Sequence, residues 1–498
     1  MNKSKIPVLI GPAWSQLQNP SDYLIVSPWL SVPQSGFGFA GAFETNVCFL
    51  RKKDLFFPTG LLSVLMEKAQ ENGYQVEPKW TEAAKLLPIV TDLPEIMPNG
   101  LPPRDYQYAI VDEACRVGRG IIKAATGSGK TGMMAMILYR FGVPKTLVIV
   151  PSRVLVRQTR EEIASWLGLK TAQIGEVSGT RANLNADVVV GLSVSLISKA
   201  QRMPDVVRLL RETKVLFLDE AHHVNLGGKP LSPKSGQWFR LAMSCMAPIR
   251  FGFSATPLKP GNPVQNWRLA GATGPLLSCG ISASDLMAEG FGAVSYIYYL
   301  RYALSRPRRR YLSYREAVNA GIVHCATRNE AIFRAGVFLS RDMGLKVLIL
   351  VEHLDHLDIL YNMFDAESGI TCFSLMGTMD QGRQEQVLHD FRSYRGGCIC
   401  VATRVLGEGT NVKDIDVVIF AAGGKSPLRL MQAIGRGMRV RDDKNKMLFI
   451  DLDDSESYSS LARHFRERRV ALAAEPGFRI AAEGQELEDF VRAVWREE

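Results

Sequence analysis

The chain has 498 residues, 46% of them hydrophobic, and carries 60 Lys and Arg against 50 Asp and Glu for a net charge of +10. That length gives room for about three domains with separate cores, and no apolar run approaches the roughly 18 residues of a membrane span. The positive balance favours a polyanionic partner without identifying it.

The N-terminus, Met1-Asn2-Lys3-Ser4-Lys5, leads into Pro7 and Gly11 without the apolar stretch of a secretory signal. Residues 1–98 hold a strand-like Asn46–Leu50, the basic Arg51-Lys52-Lys53, then Phe56-Phe57, and an amphipathic stretch from Leu61 that closes near Gly73. This reads as a small α+β accessory or nucleic-acid-binding domain. Pro94, Pro98 and Pro102-Pro103 predict a linker. Short, fully apolar strands then alternate with helical segments: Gly120-Ile121-Ile122, Thr146–Val150, Asp187–Val190, Val215–Leu218 and Arg250–Phe253. Such runs belong to a parallel sheet covered on both faces, placing one domain at 99–279. A linker is expected at 280–330. A second set of strands, Val347–Val351, Cys398–Ala402, Val417–Ala421 and Met447–Asp451, predicts another parallel-sheet domain with C-terminal helices at 331–498. The eight cysteines are scattered, and only Cys398 and Cys400 are close, inside an expected strand. Neither a disulfide framework nor a zinc spacing is present, so a reducing, cytoplasmic setting is expected.

Two segments carry the chemistry. Ala124-Ala125-Thr126-Gly127-Ser128-Gly129-Lys130-Thr131 follows an apolar strand, as a turn must if its backbone N–H groups are to cradle phosphate at a helix N-terminus. Lys130 is placed to reach the β- and γ-phosphates of ATP, and the Thr131 hydroxyl to ligate Mg²⁺. Leu216-Phe217-Leu218-Asp219-Glu220-Ala221-His222 is a buried strand ending in two acids. That arrangement suits metal binding by Asp219, partly through water, and orientation of the attacking water by Glu220.

Companion motifs stand in order around these two. Arg104-Asp105-Tyr106-Gln107 precedes the Gly-rich turn, and Val150-Pro151-Ser152-Arg153 follows it. Phe253-Ser254-Ala255-Thr256-Pro257 comes after the acidic strand. Ala402-Thr403-Arg404 through Gly409-Thr410, then Gln432-Ala433-Ile434-Gly435-Arg436-Gly437-Met438-Arg439, occupy the second half. The ordered set resembles the superfamily 2 DEAH-type helicases and translocases over about residues 101–455. The resemblance implies an α/β fold of two RecA-like parallel-sheet domains in tandem, behind the small N-terminal α+β domain. It assigns adenine reading to Gln107 and phosphate binding to Thr126, Gly127, Ser128, Gly129 and Lys130, with Gly409 also at the nucleotide. Arg439 becomes the arginine finger, Arg436 its neighbour at the γ-phosphate, and Gln432 a water-positioning or bridging residue. His222, Ser254 and Thr256 couple nucleotide state to strand grip, while Arg153, Ser193, Thr403 and Arg404 lie along the bound strand. Two positions depart from the family pattern: Ala124 opens the phosphate loop in place of Gly, and Asn411 stands where many relatives carry Asp.

Within the superfamily the chain looks most like the phage UvsW-type branch, related to RecG- and XPB-like translocases. The supporting residues are the Arg-x-Tyr-Gln start, Leu286-Met287-Ala288-Glu289-Gly290, and the segment Arg51–Leu61. The implied activity is ATP-dependent unwinding, branch migration or reannealing of forks, D-loops and Holliday junctions. That is an expectation of a monomeric, phage-encoded enzyme in the host cytoplasm. It would act in recombination, repair or replication, with single-stranded and branched DNA and recombination or replication proteins as partners. Between Tyr296 and Arg315, Arg301, Arg306, Arg308, Arg309, Arg310 and Arg315 interleave with tyrosines and no acid. Arg308, Arg309 and Arg310 are candidate phosphate contacts, with tyrosines stacking on bases, against the plainer reading of a solvated linker after a Tyr-rich strand. Arg463–Arg469 is either a second DNA contact or a solvated helix face. The alternatives are an RNA helicase, the motor subunit of a restriction system, and a non-hydrolysing module that keeps the fold.

Overall fold

The computed structural model of the protein describes residues 4–38, 41–225, 236–259, 261–291, 293–303, 313–403, 415–424, 446–474 and 477–496. Two compact units emerge, one built on Met1–Ala125 and Gly129–Ile281, the other on Thr126–Ser128 and Ser282–Glu498.

The first unit opens with Ser4–Ile10 (β1), whose alternation buries Ile6, Val8 and Ile10 on one face. Trp14–Leu17 (β2) follows, then a separate two-stranded ribbon of Ser31–Gly38 (β3) and Gly41–Cys48 (β4), then Phe56–Pro58 (β5) and Tyr74–Trp80 (β6). The small sheet has the order β5-β2-β1-β6, with β6 parallel to β1. Helix Leu62–Glu71 covers it with Leu62, Leu65 and Ala69, an i, i+3, i+7 stripe. This region is not the separate domain expected at 1–98. Its core includes Val264 and, partly buried, Trp267 of helix Pro263–Ala272, and Phe49 packs 5.7 Å from Trp267, ring to ring. A Cβ at Gly60 would lie 1.9 Å from the Ala270 carbonyl oxygen, so only glycine allows this approach. The Arg51 guanidinium lies over Trp14 and Phe56 and pairs with Asp54, and Phe57 is buried. Among the basic residues of that cluster, Arg51 is therefore engaged within the fold. Nor is the Pro-rich stretch a free linker. Val90 N–H donates to Arg140 O (2.9 Å), Tyr108 OH donates to Pro94 O (3.0 Å), and Met97 is buried.

The larger sheet of this unit contains Arg119–Lys123 (β7), Thr146–Val150 (β8), Gly175–Ser178 (β9), Arg181–Asn183 (β10), Val188–Leu192 (β11), Val215–Asp219 (β12) and Ile249–Ser254 (β13). Their order is β10-β9-β11-β8-β12-β13-β7, parallel throughout except for the β10–β9 edge pair. β8, β11, β12 and β13 are buried at every position, as strands covered on both faces must be. β13 contains the fully buried Arg250. Its guanidinium donates to the carbonyls of Ala242, Cys245, Ala247 and Ala272, at or just beyond the C-terminal ends of helices Gln237–Ser244 and Pro263–Ala272. A cation is favoured where helix carbonyls are left over, which is how the core tolerates this charge.

Among the described residues the second unit has seven strands, all pairing in parallel: Val294–Leu300 (β14), Lys346–Leu350 (β15), Cys372–Leu375 (β16), Cys398–Ala402 (β17), Val417–Phe420 (β18), Lys446–Leu452 (β19) and Arg479–Ile480 (β20). The order is β16-β17-β15-β18-β19-β14-β20. β14 lies inside the expected 280–330 linker, which is therefore corrected: its seven residues pair with β19 from Val294–Lys446 to Leu300–Leu452. The tyrosines there serve the fold. Tyr296 and Tyr298 join the core, and Tyr302 OH donates to Asp454 Oδ1 (2.9 Å). Arg463–Arg469 is not simply a solvated face either. It lies on helix Ser459–Ala473, where His464, Phe465 and Arg468 are buried. Arg468 Nε donates to Asp451 Oδ2 (2.8 Å) and Nη2 to Asp454 Oδ2 (3.1 Å), while Arg328 Nε donates to Asp454 Oδ1 (3.1 Å). Two guanidiniums thus face two carboxylates, and the four charges offset one another. Among the described residues no helix is long and apolar enough to cross a membrane.

Candidate functional site

In a parallel sheet the loops after the strands gather at one edge, where ligands bind. The first unit places the ends of β7, β12 and β13 side by side at that edge. After β7 the chain turns through Gly127 (φ 87°) and Gly129 (φ 77°) into helix Lys130–Arg140. Left-handed glycines on either side of one residue make the concave backbone that binds anions. Nothing lies within 4 Å of where a Gly127 Cβ would be, whereas a Gly129 Cβ would meet Gln107 Nε2 at 2.6 Å. Gln107 belongs to the first turn of helix Asp105–Val117, and its Oε1 accepts from Arg104 N–H (3.0 Å). The proposed adenine reader therefore touches the phosphate loop itself.

β12 ends at Asp219, which is 5% exposed and whose Oδ1 accepts from Glu220 N–H (3.0 Å). Glu220 sits in the left-handed region (φ 48°), a conformation that costs a non-glycine residue about 1–3 kcal/mol and is concentrated at functional sites. The turn brings its carboxylate to Lys130, Nζ to Oε1 at 2.9 Å, with both side chains mostly shielded from solvent. Glu220 Oε2 also lies 3.4 Å from His222 Nδ1, which is 3.1 Å from Ser254 Oγ at the end of β13. Ser254 Oγ accepts from Thr256 N–H (3.3 Å), and Ser254 O accepts from Ala124 N–H (2.9 Å). Lys130, Glu220, His222, Ser254 and Thr256 are thus linked in one chain of contacts. Thr131 is the second residue of the loop's helix and partly exposed, and Ser128 is buried.

The remaining candidates are dispersed. Arg153 is exposed at the start of helix Arg153–Leu167, and its guanidinium lies against the Gly179 turn, 3.4 Å from a Cβ built there. Ser193 is 2% exposed. The hydroxyls lining the neighbouring cleft of about 350 Å³ belong instead to Ser195 and Ser198, beside Lys199 and Arg202. Gly179 N–H donates to Ser195 Oγ (3.0 Å). These residues were missed in the sequence, where the only signal is a Gly-Thr-Arg turn and polar residues spaced along one helix. Thr403 follows β17, and its Oγ1 accepts from Gly377 N–H (3.2 Å). Arg308, Arg309, Arg310, Arg404, Gly409, Gln432, Arg436 and Arg439 lie outside the described residues.

The loop, its lysine and the two acids fit a nucleoside triphosphate with a hard divalent cation. Among the described residues no cluster of three or more His, Cys, Asp or Glu could hold a metal alone. A Mg²⁺ bound beside a triphosphate takes one or two protein ligands and completes its shell with phosphate and water.

Residues 100–259 match the family described as type III restriction enzyme, res subunit, and residues 329–441 match the helicase conserved C-terminal domain. A protein of Haloarcula marismortui named Rad25 is 24% identical over 380 residues, 76% of this chain and 56% of that protein. The chain thus spans a little over half the length of this relative. The ATP-dependent DNA helicase uvsW of Enterobacteria phage T4 is 23% identical over 387 residues, covering 74% of this chain and 72% of that one. The solved structure of S. cerevisiae Dbp5 bound to RNA and ADP BeF3 superposes with a TM-score of 0.52 at 16% identity, over 80% of this chain and 93% of that one. This last likeness is one of fold, two RecA-like domains in tandem.

Proposed function

We propose that the chain, a superfamily 2 helicase by its two matched domains, is an ATP-dependent DNA helicase or translocase that remodels branched DNA. The observation that carries the ATPase reading is the Lys130–Glu220 pair at 2.9 Å, beside Asp219 and above a glycine-lined anion cradle. In this pair the two charges satisfy each other. A bound triphosphate draws the Lys130 ammonium to its β- and γ-oxygens, which releases Glu220 to orient a water and accept its proton. Gln107 and the loop backbone hold the nucleotide, and Thr131 and Asp219 would hold Mg²⁺, whose charge offsets that of the phosphates. The Glu220–His222–Ser254 contacts then give β13 and the loop at Thr256 a direct link to whether Glu220 is paired or released. Arg436 and Arg439 are the proposed cations for the transition state, typically worth about 10³–10⁵ in rate.

DNA as the track is supported by the names of relatives such as the T4 protein and by the net charge of +10. Action on forks, D-loops and Holliday junctions, and a part in recombination, repair or replication, extend that support. The discriminating experiment measures ATP turnover with single-stranded DNA, duplex DNA, a four-way junction and RNA in parallel. Stimulation by single-stranded and junction DNA above the other two is expected. Stimulation by RNA alone makes the enzyme an RNA helicase, and no turnover with any polymer ends the motor reading.

A further inference from the structure

Beyond the phosphate loop, the way the chain leaves the first unit is unusual. Residues 275–281 run alongside β7 as an interrupted extra strand. Ile121 N–H donates to Pro275 O (2.7 Å) and Leu277 N–H to Ile121 O (2.9 Å). Further on, Ile281 N–H donates to Lys123 O (2.9 Å) and Ala125 N–H to Ile281 O (2.9 Å). The final bond joins the last residue of the unit to Ala125, the second residue of the phosphate loop. In between, Ser278 and Cys279 leave the ladder, and one side chain takes up their amides. Glu113 Oε1 accepts from Ser278 N–H (3.0 Å) and its hydroxyl (2.6 Å), and Oε2 accepts from Cys279 N–H (2.6 Å).

Glu113 sits on helix Asp105–Val117, the helix that brings Gln107 to Gly129. The two residues are about 9 Å apart along its axis at ~1.5 Å per residue. A closed mechanical loop results: Gln107 to the phosphate loop, Ala125 to Ile281, the exit strand back to Glu113, and the helix back to Gln107. The hydrogen-bonded links are 3.0 Å or less, and Gln107 Nε2 lies 2.6 Å from where a Cβ on Gly129 would stand. Partial burial alone would raise the Glu113 pKa. The Ser278 hydroxyl and the amides of Cys279 and Ser278 more than reverse that and hold it at about 2, so the clamp is anionic at any working pH.

We propose that Glu113, outside the hydrolytic site, is a positioning residue for coupling, which stiffens the exit strand so that nucleotide in the phosphate loop is felt at Ile281, where the chain passes to the second unit. The proposal rests on the ATP-driven reading above. It needs no new chemistry, only that the strand follows the loop, and two contiguous hydrogen-bonded elements do so unless a joint between them is soft. Without Glu113, residues 278–280 are such a joint.

Ser278 is exposed, so water can replace the lost acceptor and Glu113→Ala is expected to keep the fold. Hydrogen exchange with and without a non-hydrolysable ATP analogue reads the coupling directly. In the parent, the analogue should change exchange at Cys279 and Ile281 about tenfold, while in Glu113→Ala the Ile281 response should vanish although the analogue still protects the phosphate loop. In turnover, Glu113→Ala should keep its DNA-free ATP hydrolysis and its KM for ATP, while base pairs displaced per ATP fall about tenfold. Glu113→Gln, which keeps one acceptor oxygen, should fall between. An unchanged Ile281 response, or hydrolysis and displacement falling together, overturns the proposal. Absence of ATP turnover in the parent itself would instead count against the motor reading, and the exchange measurement would still decide the clamp.

Discussion

Glu220 illustrates how much depends on a single torsion. At φ 48° its backbone bears strain that an extended residue after β12 would not, and the return is a carboxylate delivered to Lys130 rather than to solvent. Replacing it with Gln keeps size and hydrogen bonding but removes the base. ATP hydrolysis should drop by about 10²–10⁴, the usual worth of a general base, with nucleotide affinity little changed. A Glu220→Gln protein that turns over at the parental rate would remove Glu220 from the mechanism. That the acids and the lysine lie at strand ends was readable from the sequence because each sits at a fixed offset from an apolar run, while the Ser254–Thr256 pair was singled out by the resemblance. Glu113 was not, since nothing near it in the chain marks its partners at 278 and 279.

At the scale of elements, buried polar groups decide how helices seat on the second sheet. His356, on helix Leu354–Asp365, is fully buried, and its Nε2 is 2.9 Å from Asn329 Oδ1. Asn329 Nδ2 donates to Val323 O (2.9 Å), which fixes its oxygen as the acceptor and His356 Nε2 as the donor. Burial above all, then the nearby Arg328, His353 and His324, depress the His356 pKa from 6.5 to about 3. A ring held neutral in the fold but free to charge when unfolded lends stability above about pH 6.5 that is lost as the pH falls toward 3. The slope is at most about 1.4 kcal/mol per pH unit. Melting curves between pH 7.5 and 5 should show this acid sensitivity in the parent and less of it in His356→Gln. Equal slopes would mean that another group titrates. The strands of this sheet that were foreseen are continuous apolar runs. β14, read as a Tyr-rich strand, was left in the linker because Val294–Leu300 flows into an arginine-rich stretch that reads as surface.

For the whole molecule, the net charge of +10 sets an expectation about DNA. Each phosphate neutralised adds about 0.9 to the slope of log affinity against log salt. Replacing Arg308, Arg309 and Arg310 together by Gln should weaken binding to single-stranded DNA and flatten that slope. A slope equal to the parent's would assign the segment to solvent. The sequence by itself determined two parallel-sheet domains and which motif residues stand at the ends of β7, β12 and β13. Both are written in local patterns, apolar runs of strand length and motif residues a few positions apart. Only the tertiary structure decided that the N-terminal region shares a body with the first sheet, and that Tyr302 and Arg468 belong to a core. It alone showed Glu113 clamping the exit strand. Each of these joins residues more than a dozen positions apart through packing or a hydrogen bond, and no local period carries that information.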